Sequence, residues 1–267
     1  MVREPVVSGK FYPADPQALR AEVKSHLSRA RRPIPAVACL VPHAGYVYSG
    51  NVAGTVFSAI EIPEHCIVLC PNHTGRGHSL SLMAEGKWLT PLGEVPIACE
   101  LADSLMQSFP ALVDDPSAHQ FEHAIEVELP FLQMLRPDVQ IVPIAVGTAQ
   151  PLLLESLGQA VAAAIEAAKN RVLIVASSDM NHYEDDDSTR IKDHKAIKKI
   201  LALDPQGLFD TVMNESISMC GFGTAVAMLT AANVLGAKKA ELVQYATSAD
   251  ASGDKEMCVG YAGIVIS

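Results

Sequence analysis

The chain has 267 residues, 49% hydrophobic and 19% charged, with a formal net charge of −10 at pH 7. This apolar fraction excludes intrinsic disorder, and the negative balance argues against a nucleic-acid partner, since phosphate backbones are bound by clustered cations. Charge, glycine or proline interrupts every apolar stretch well short of the roughly 20 residues a membrane helix needs, so no membrane association is expected.

In chain order, Met1-Val2-Arg3-Glu4-Pro5 has no apolar signal-peptide core. The Arg29-Ala30-Arg31-Arg32 cluster reads as a solvated helix face. Ala36–Val41 is a continuous apolar run ended by Pro42, as for a strand buried on both faces. The spacing predicts a helix over Asn51–Ile60, a buried strand over Cys66–Cys70 and a further strand over Leu80–Ala84. Ile97–Phe109 and Glu122–Leu135 read as helices, Val139–Val146 as a strand, and the Ala- and Leu-rich Leu152–Lys169 as a helix. Arg171–Ala176 is another strand, after which Glu184-Asp185-Asp186-Asp187 reads as a solvated acidic loop without EF-hand spacing. Thr189–Leu203, with the Lys192–Lys199 stretch as its solvated face, Pro205–Asn214 and Gly223–Leu235 read as helices. Ala240–Thr247 and Cys258–Ile266 close the chain as strands. No repeat or Gly/Ser linker divides it. The expectation is a single α/β domain over residues 1–267, its central, mostly parallel sheet covered by helices on both faces.

Three strand-like runs end in polar turns that carry histidine: Pro42-His43-Ala44-Gly45, Pro71-Asn72-His73-Thr74-Gly75 and Ser177-Ser178-Asp179-Met180-Asn181-His182. Ligands of open α/β sheets sit beyond the carboxyl ends of the strands, and imidazole suits iron, copper or zinc. If the strands before His43 and His73 are neighbours, their two loops lie side by side as ligands of one metal. The small residues Ala44, Gly45, Ser49 and Gly50 let the backbone approach a ligand closely. Asp179 and His182, three residues apart, read as an acid–base pair in which the carboxylate orients the imidazole. His123 opens a helix whose Glu122 and Glu126 complement the macrodipole, and its ring is expected to line the substrate space. His119 is less well placed, and His26, His65, His78 and His194 read as surface or loop residues. The six cysteines lack zinc-finger spacing and suggest a reduced, cytoplasmic protein. Cys220 alone sits between glycine-loosened backbone and a helix start, where a depressed pKa and high reactivity are expected.

Together with Gly9-Lys10-Phe11-Tyr12-Pro13, the runs Pro42–Gly50, Pro71–Gly75, Glu122–Leu132, Ser177–Tyr183 and Cys220-Gly221 resemble the Memo family. Its bacterial and archaeal members are called AmmeMemoRadiSam system protein B. The resemblance spans essentially the whole chain. It implies a fold similar to class III extradiol ring-cleavage dioxygenases, which hold iron with two histidines and a glutamate. Carried over residue by residue, it implies a pocket of His43, His73, Asp179, His182 and Cys220. His43 and His73 match the metal histidines, and Cys220 replaces the acidic ligand. A radical-enzyme partner is implied by the family name alone.

Two functions follow as expectations. One is a metal-dependent oxidoreductase, a dioxygenase-like enzyme. Iron or copper, or else zinc, sits on His43, His73 and Cys220, with His182, Asp179 and His123 as the catalytic groups. The other is a non-enzymatic binding protein that captures a peptide or small anionic ligand in the same pocket.

Overall fold

The computed structural model describes residues 1–27 and 32–267, so most of the Arg29–Arg32 cluster lies outside the described residues. In chain order the elements are β1 (Val2–Arg3), α1 (Pro16–His26), β2 (Ala38–Val41), α2 (Tyr46–Ala59), β3 (His65–Pro71), β4 (Leu80–Leu82), β5 (Lys87–Thr90) and β6 (Gly93–Pro96). They continue with α3 (Cys99–Ser108), β7 (Val113–Asp114), α4 (Ala124–Leu135), β8 (Gln140–Val146), α5 (Pro151–Ala167), β9 (Val172–Ser177) and β10 (His182–Glu184). The last are α6 (Asp186–Leu201), α7 (Pro205–Asn214), α8 (Phe222–Val234), β11 (Ala240–Thr247), α9 (Ser248–Ser252) and β12 (Cys258–Ile266).

The apolar runs form the centre of one sheet in the order β10-β12-β2-β9-β3-β8-β4-β7, with β11 paired to β12. The four central strands β2, β9, β3 and β8 are parallel, and antiparallel pairing sets in at both flanks. Their side chains are buried on both faces because helices cover both, as parallel sheets require. On one face α2 and α4 pack against the sheet and against each other, with α1 across them. On the other, α8 lies on β2, β9 and β3, and α5 packs against α8. This is the α/β architecture the sequence predicts.

Two differences matter for the site. The strands before His43 and His73 are not neighbours. Each pairs with β9, which lies between them, so the Ser177–His182 segment emerges between the two histidine loops. The acidic run is no loop either. Its Asp185 caps α6 by accepting from the Ser188 N–H, and Asp186 accepts from Arg190 and Thr247.

A second, three-stranded sheet of β1, β5 and β6 joins the start of the chain to the body. Buried Arg3 fixes it there. Its guanidinium lies over the Trp88 ring, pairs with Glu126 and donates to the carbonyls of His119 and Glu122. Glu126 also accepts from the main-chain N–H groups of Val6 and Val7 and from the Tyr12 hydroxyl. The segment between Arg3 and Pro13 is thereby laid along the mouth of the crevice.

Candidate metal centre

The crevice at the carboxyl ends of β2, β9 and β3 has a volume of about 890 Å³. His43, His73, His123, Asp179, His182 and Cys220 all line it. Every residue singled out in the sequence for ligation or catalysis is therefore brought to one place.

His43 leaves β2 and is fully buried, its Nδ1 2.7 Å from Ser177 Oγ and its main-chain N–H on Asp179 Oδ1 at 2.9 Å. Burial, with His123 and His73 close by, pushes its pKa well down, so the ring is neutral as a ligand must be. His73 leaves β3 with its side chain 33% exposed. Its Nδ1 lies 2.9 Å from Glu122 Oε1 and its main-chain N–H 2.7 Å from Glu122 Oε2. Burial would lower the His73 pKa, but the Glu122 carboxylate outweighs it and the net shift is upward. His123 stands at the N-terminus of α4, stacked at 27° on His73 with 4.9 Å between ring centroids. Its pKa is lowered, chiefly by burial.

One carboxylate organises this group. Glu122 Oε1 also accepts from the main-chain N–H groups of His123 and Ala124, and lies 3.3 Å from His123 Nδ1. Burial alone would raise its pKa, yet His73 and these N–H donors hold it down at about 2. The sequence reading gave Glu122 only a macrodipole role. The signal for more was its position immediately before a histidine at a helix start.

The third loop divides its work. Cys220 Sγ lies 3.4 Å from His43 Nε2 and accepts from the Asp179 N–H at 3.2 Å. Burial, and then the Asp179 carboxylate, push the thiol pKa far up, reversing the depressed value expected from the helix start. Proximity to α8 is outweighed by loss of water. Asp179 itself is raised by burial. Asp179 does not orient His182. The His182 Nδ1–H donates to the Ser218 carbonyl at 2.8 Å, and the His182 main-chain N–H to Ser218 Oγ. Buried Asn181 holds that pair together, its Oδ1 accepting from Ser218 N and Oγ. Beside them Tyr183 has left-handed backbone (φ 62°) and stands exposed at the mouth.

Other expectations change. Gly50 makes room for His26 rather than for a ligand, since a Cβ there would lie 2.6 Å from His26 Nε2. His26 is accordingly not a surface residue: its ring packs on Tyr46 and Phe131. His119 is wholly buried on Trp88, outside the crevice, with its pKa lowered to about 4 by burial and Arg3.

The donor set fits a metal ion. One ligand nitrogen each from His43, His73 and His123 lies within 4.8 Å of the other two. Cys220 lies outside this group, its Sγ 3.4 Å from His43 Nε2.

The family described as Memo-like protein matches residues 3–265. The chain belongs to this family. A MEMO1 family protein of Pyrobaculum arsenaticum is 41% identical over 276 residues, covering 99% of this chain and 98% of the relative. Another, from Methanopyrus kandleri, is 38% identical over 281 residues, covering 99% of each. The crystal structure of an uncharacterized protein from Escherichia coli K12 shares the fold, with a TM-score of 0.55 at 14% identity over 84% of this chain and 98% of that one. Among the described residues no helix is long and apolar enough to cross a membrane.

Proposed function

We propose that this Memo-family protein is a metal-dependent oxidoreductase, with iron or copper as the working metal and zinc as a redox-inert competitor. The observation that carries the reading is the convergence of His43, His73 and His123 in one crevice, with the Cys220 thiol beside His43. His43, His73 and His123 would hold the ion, with the Cys220 thiol beside His43 as a further donor. The thiol loses its proton on ligation, which offsets the high pKa of the metal-free site. When bound, the metal supplies Lewis acidity and a one-electron redox couple. The chain's own residues do the rest. Glu122 orients the His73 ring, and Asp179 fixes the main chain at His43. His182 presents Nε2 for proton transfer, because the Ser218 carbonyl occupies its Nδ1–H.

The competing reading is capture of a peptide or small anionic ligand. It draws support from Lys10, Phe11, Tyr48, Tyr183 and Tyr261, which line the same crevice and suit an anionic, aromatic guest. Metal analysis of anaerobically purified protein separates the two, with His43→Ala and Cys220→Ser as controls. The oxidoreductase reading expects near-stoichiometric iron or copper in the wild type, loss in both variants, and oxygen uptake with a catechol panel. Equal metal in all three proteins would leave the binding reading in its place.

A further inference from the structure

β10 pairs with β12 through His182 opposite Val259 and Glu184 opposite Cys258, which leaves Tyr183 without a partner in the ladder. Tyr183 is the extra residue of a β-bulge. Its φ of 62° is left-handed, a conformation that glycine takes freely and a bulky side chain rarely adopts. Bulges next to active sites re-aim a side chain.

The neighbours on either side hold this bulge in place. His182 donates its main-chain N–H to Ser218 Oγ and its Nδ1–H to the Ser218 carbonyl. Glu184 accepts from Asn181 Nδ2 at 2.9 Å and from the Lys192 ammonium at 2.6 Å. Clamps of this kind over-determine the backbone between them, the condition under which such strain persists. Little of the cost is repaid inside the chain. The Tyr183 side chain is 71% exposed, its ring meets only the His182 ring, and its hydroxyl has no hydrogen-bond partner among the described residues. Of the four tyrosines that line the crevice it is the most exposed, whereas Tyr261 is buried and the Tyr12 hydroxyl is bonded to Glu126.

Resting on the metal-site reading above, we propose that Tyr183 is a specificity-determining residue whose ring receives a planar aromatic substrate at the mouth of the crevice. Its ring centroid lies 5.5 Å from that of His182, with the two planes inclined at 57°. A guest ring laid against Tyr183 therefore stands beside His182 Nε2, the nitrogen left free by the Ser218 carbonyl. Aromatic pairs gain free energy beyond the area they bury, and an aliphatic guest does not share that gain. The bulge costs backbone stability and places a recognition surface where the acid–base group can use it.

The test uses the full chain with Tyr183→Phe, Tyr183→Ala and Tyr183→Gly. The readouts are the dissociation constants of 4-nitrocatechol and of acetohydroxamate, a non-aromatic chelator, with and without Zn²⁺, and the melting temperature. Phenylalanine keeps the ring and should bind 4-nitrocatechol within about twofold of wild type. Alanine and glycine should weaken it about three- to tenfold and leave acetohydroxamate unchanged, a split that a merely structural role would not produce. Glycine should melt about 2 °C or more above alanine, because it alone relieves the left-handed backbone. Undiminished 4-nitrocatechol affinity in both ring-less variants overturns the proposal. So does an equal loss of both chelators, a wild type that binds no 4-nitrocatechol, or a glycine variant that melts no higher than alanine. If the wild type takes up no zinc but the 4-nitrocatechol loss persists in metal-free protein, Tyr183 keeps its role and the metal reading fails.

Discussion

The Glu122 carboxylate receives both the main-chain N–H and the Nδ1–H of His73, at 2.7 and 2.9 Å, from a position wholly shut off from water. The same carboxylate accepts the first N–H groups of α4. One side chain thereby starts a helix and aims a ligand. A carboxylate on the far nitrogen of a ligating imidazole fixes its tautomer and raises its basicity.

Glu122→Gln should therefore damage the site more than the fold. An amide can still accept one of these bonds, but the charge that raises the His73 pKa is gone. Metal affinity is expected to fall about 10- to 100-fold, and the His73 pKa to drop below its wild-type value. Metal titration and NMR pH titration of His73 check the two effects. Unchanged affinity would deny Glu122 its orienting role.

Glu122 also sets the acid limb of stability. Its folded pKa is depressed from 4.5 to about 2, so its contribution is present above the unfolded pKa and lost as pH falls through the folded one. The shift corresponds to about 3 kcal/mol, shared with His73 because both report the same pair. Chemical unfolding from pH 5 to 2 should show this loss in the wild type and a much weaker slope in Glu122→Gln.

The central strands could be read from sequence because burial on both faces leaves an unbroken apolar run, as in Cys66–Cys70 and Arg171–Ala176. Strand order could not. That β9 lies between β2 and β3 is a long-range choice with no local signature, and it decides that Ser177 and Asp179, not Asn72, stand beside His43. The crevice was legible through its histidines, which are costly to bury without purpose. The bonds from Glu122 to His73 and from Ser218 to Asn181 were not, because those partners are distant in sequence. The small sheet of β1, β5 and β6 went unseen because strands of two to four residues carry too little alternation.

Asp193 gives a pH dependence of opposite sign. Burial raises its pKa from 3.8 to about 6, even though it accepts from the Asn181 N–H and the Tyr245 hydroxyl. A raised folded pKa means stability is fullest below the unfolded value and is lost as pH climbs through about 6. Asp193→Asn keeps a carbonyl for Asn181 and an amide for Tyr245, without the charge. It should be stabilised by up to about 3 kcal/mol at pH 7 and lose the slope between pH 4 and 6. Urea unfolding across that range measures both.

Cys220 should be a slow thiol in metal-free protein. Its proton is held by burial and by Asp179, whereas Cys99 is exposed. Under limiting iodoacetamide, mass spectrometry should find Cys99 modified at least about tenfold faster, because thiolate fraction and access set the rate. Rapid labelling of Cys220 in folded protein would mean that the thiol sees solvent or an unrecognised cation.

Arg3 ties the start of the chain to the site, and removing it should be felt in both. Its guanidinium pairs with fully buried Glu126, donates to the His119 and Glu122 carbonyls and covers Trp88. Arg3→Met keeps the apolar cover over Trp88 but leaves the Glu126 charge supported only by Val6, Val7 and Tyr12. Breaking one side of a buried pair costs about 3–5 kcal/mol. Unfolding midpoints should fall accordingly, and Glu126→Gln in the same chain should recover part of the loss by removing the stranded charge. The carbonyl that Arg3 holds belongs to Glu122, whose side chain aims His73, so metal affinity should weaken alongside stability. A variant that loses stability with its metal affinity intact would show that Glu122 is aimed by α4 alone.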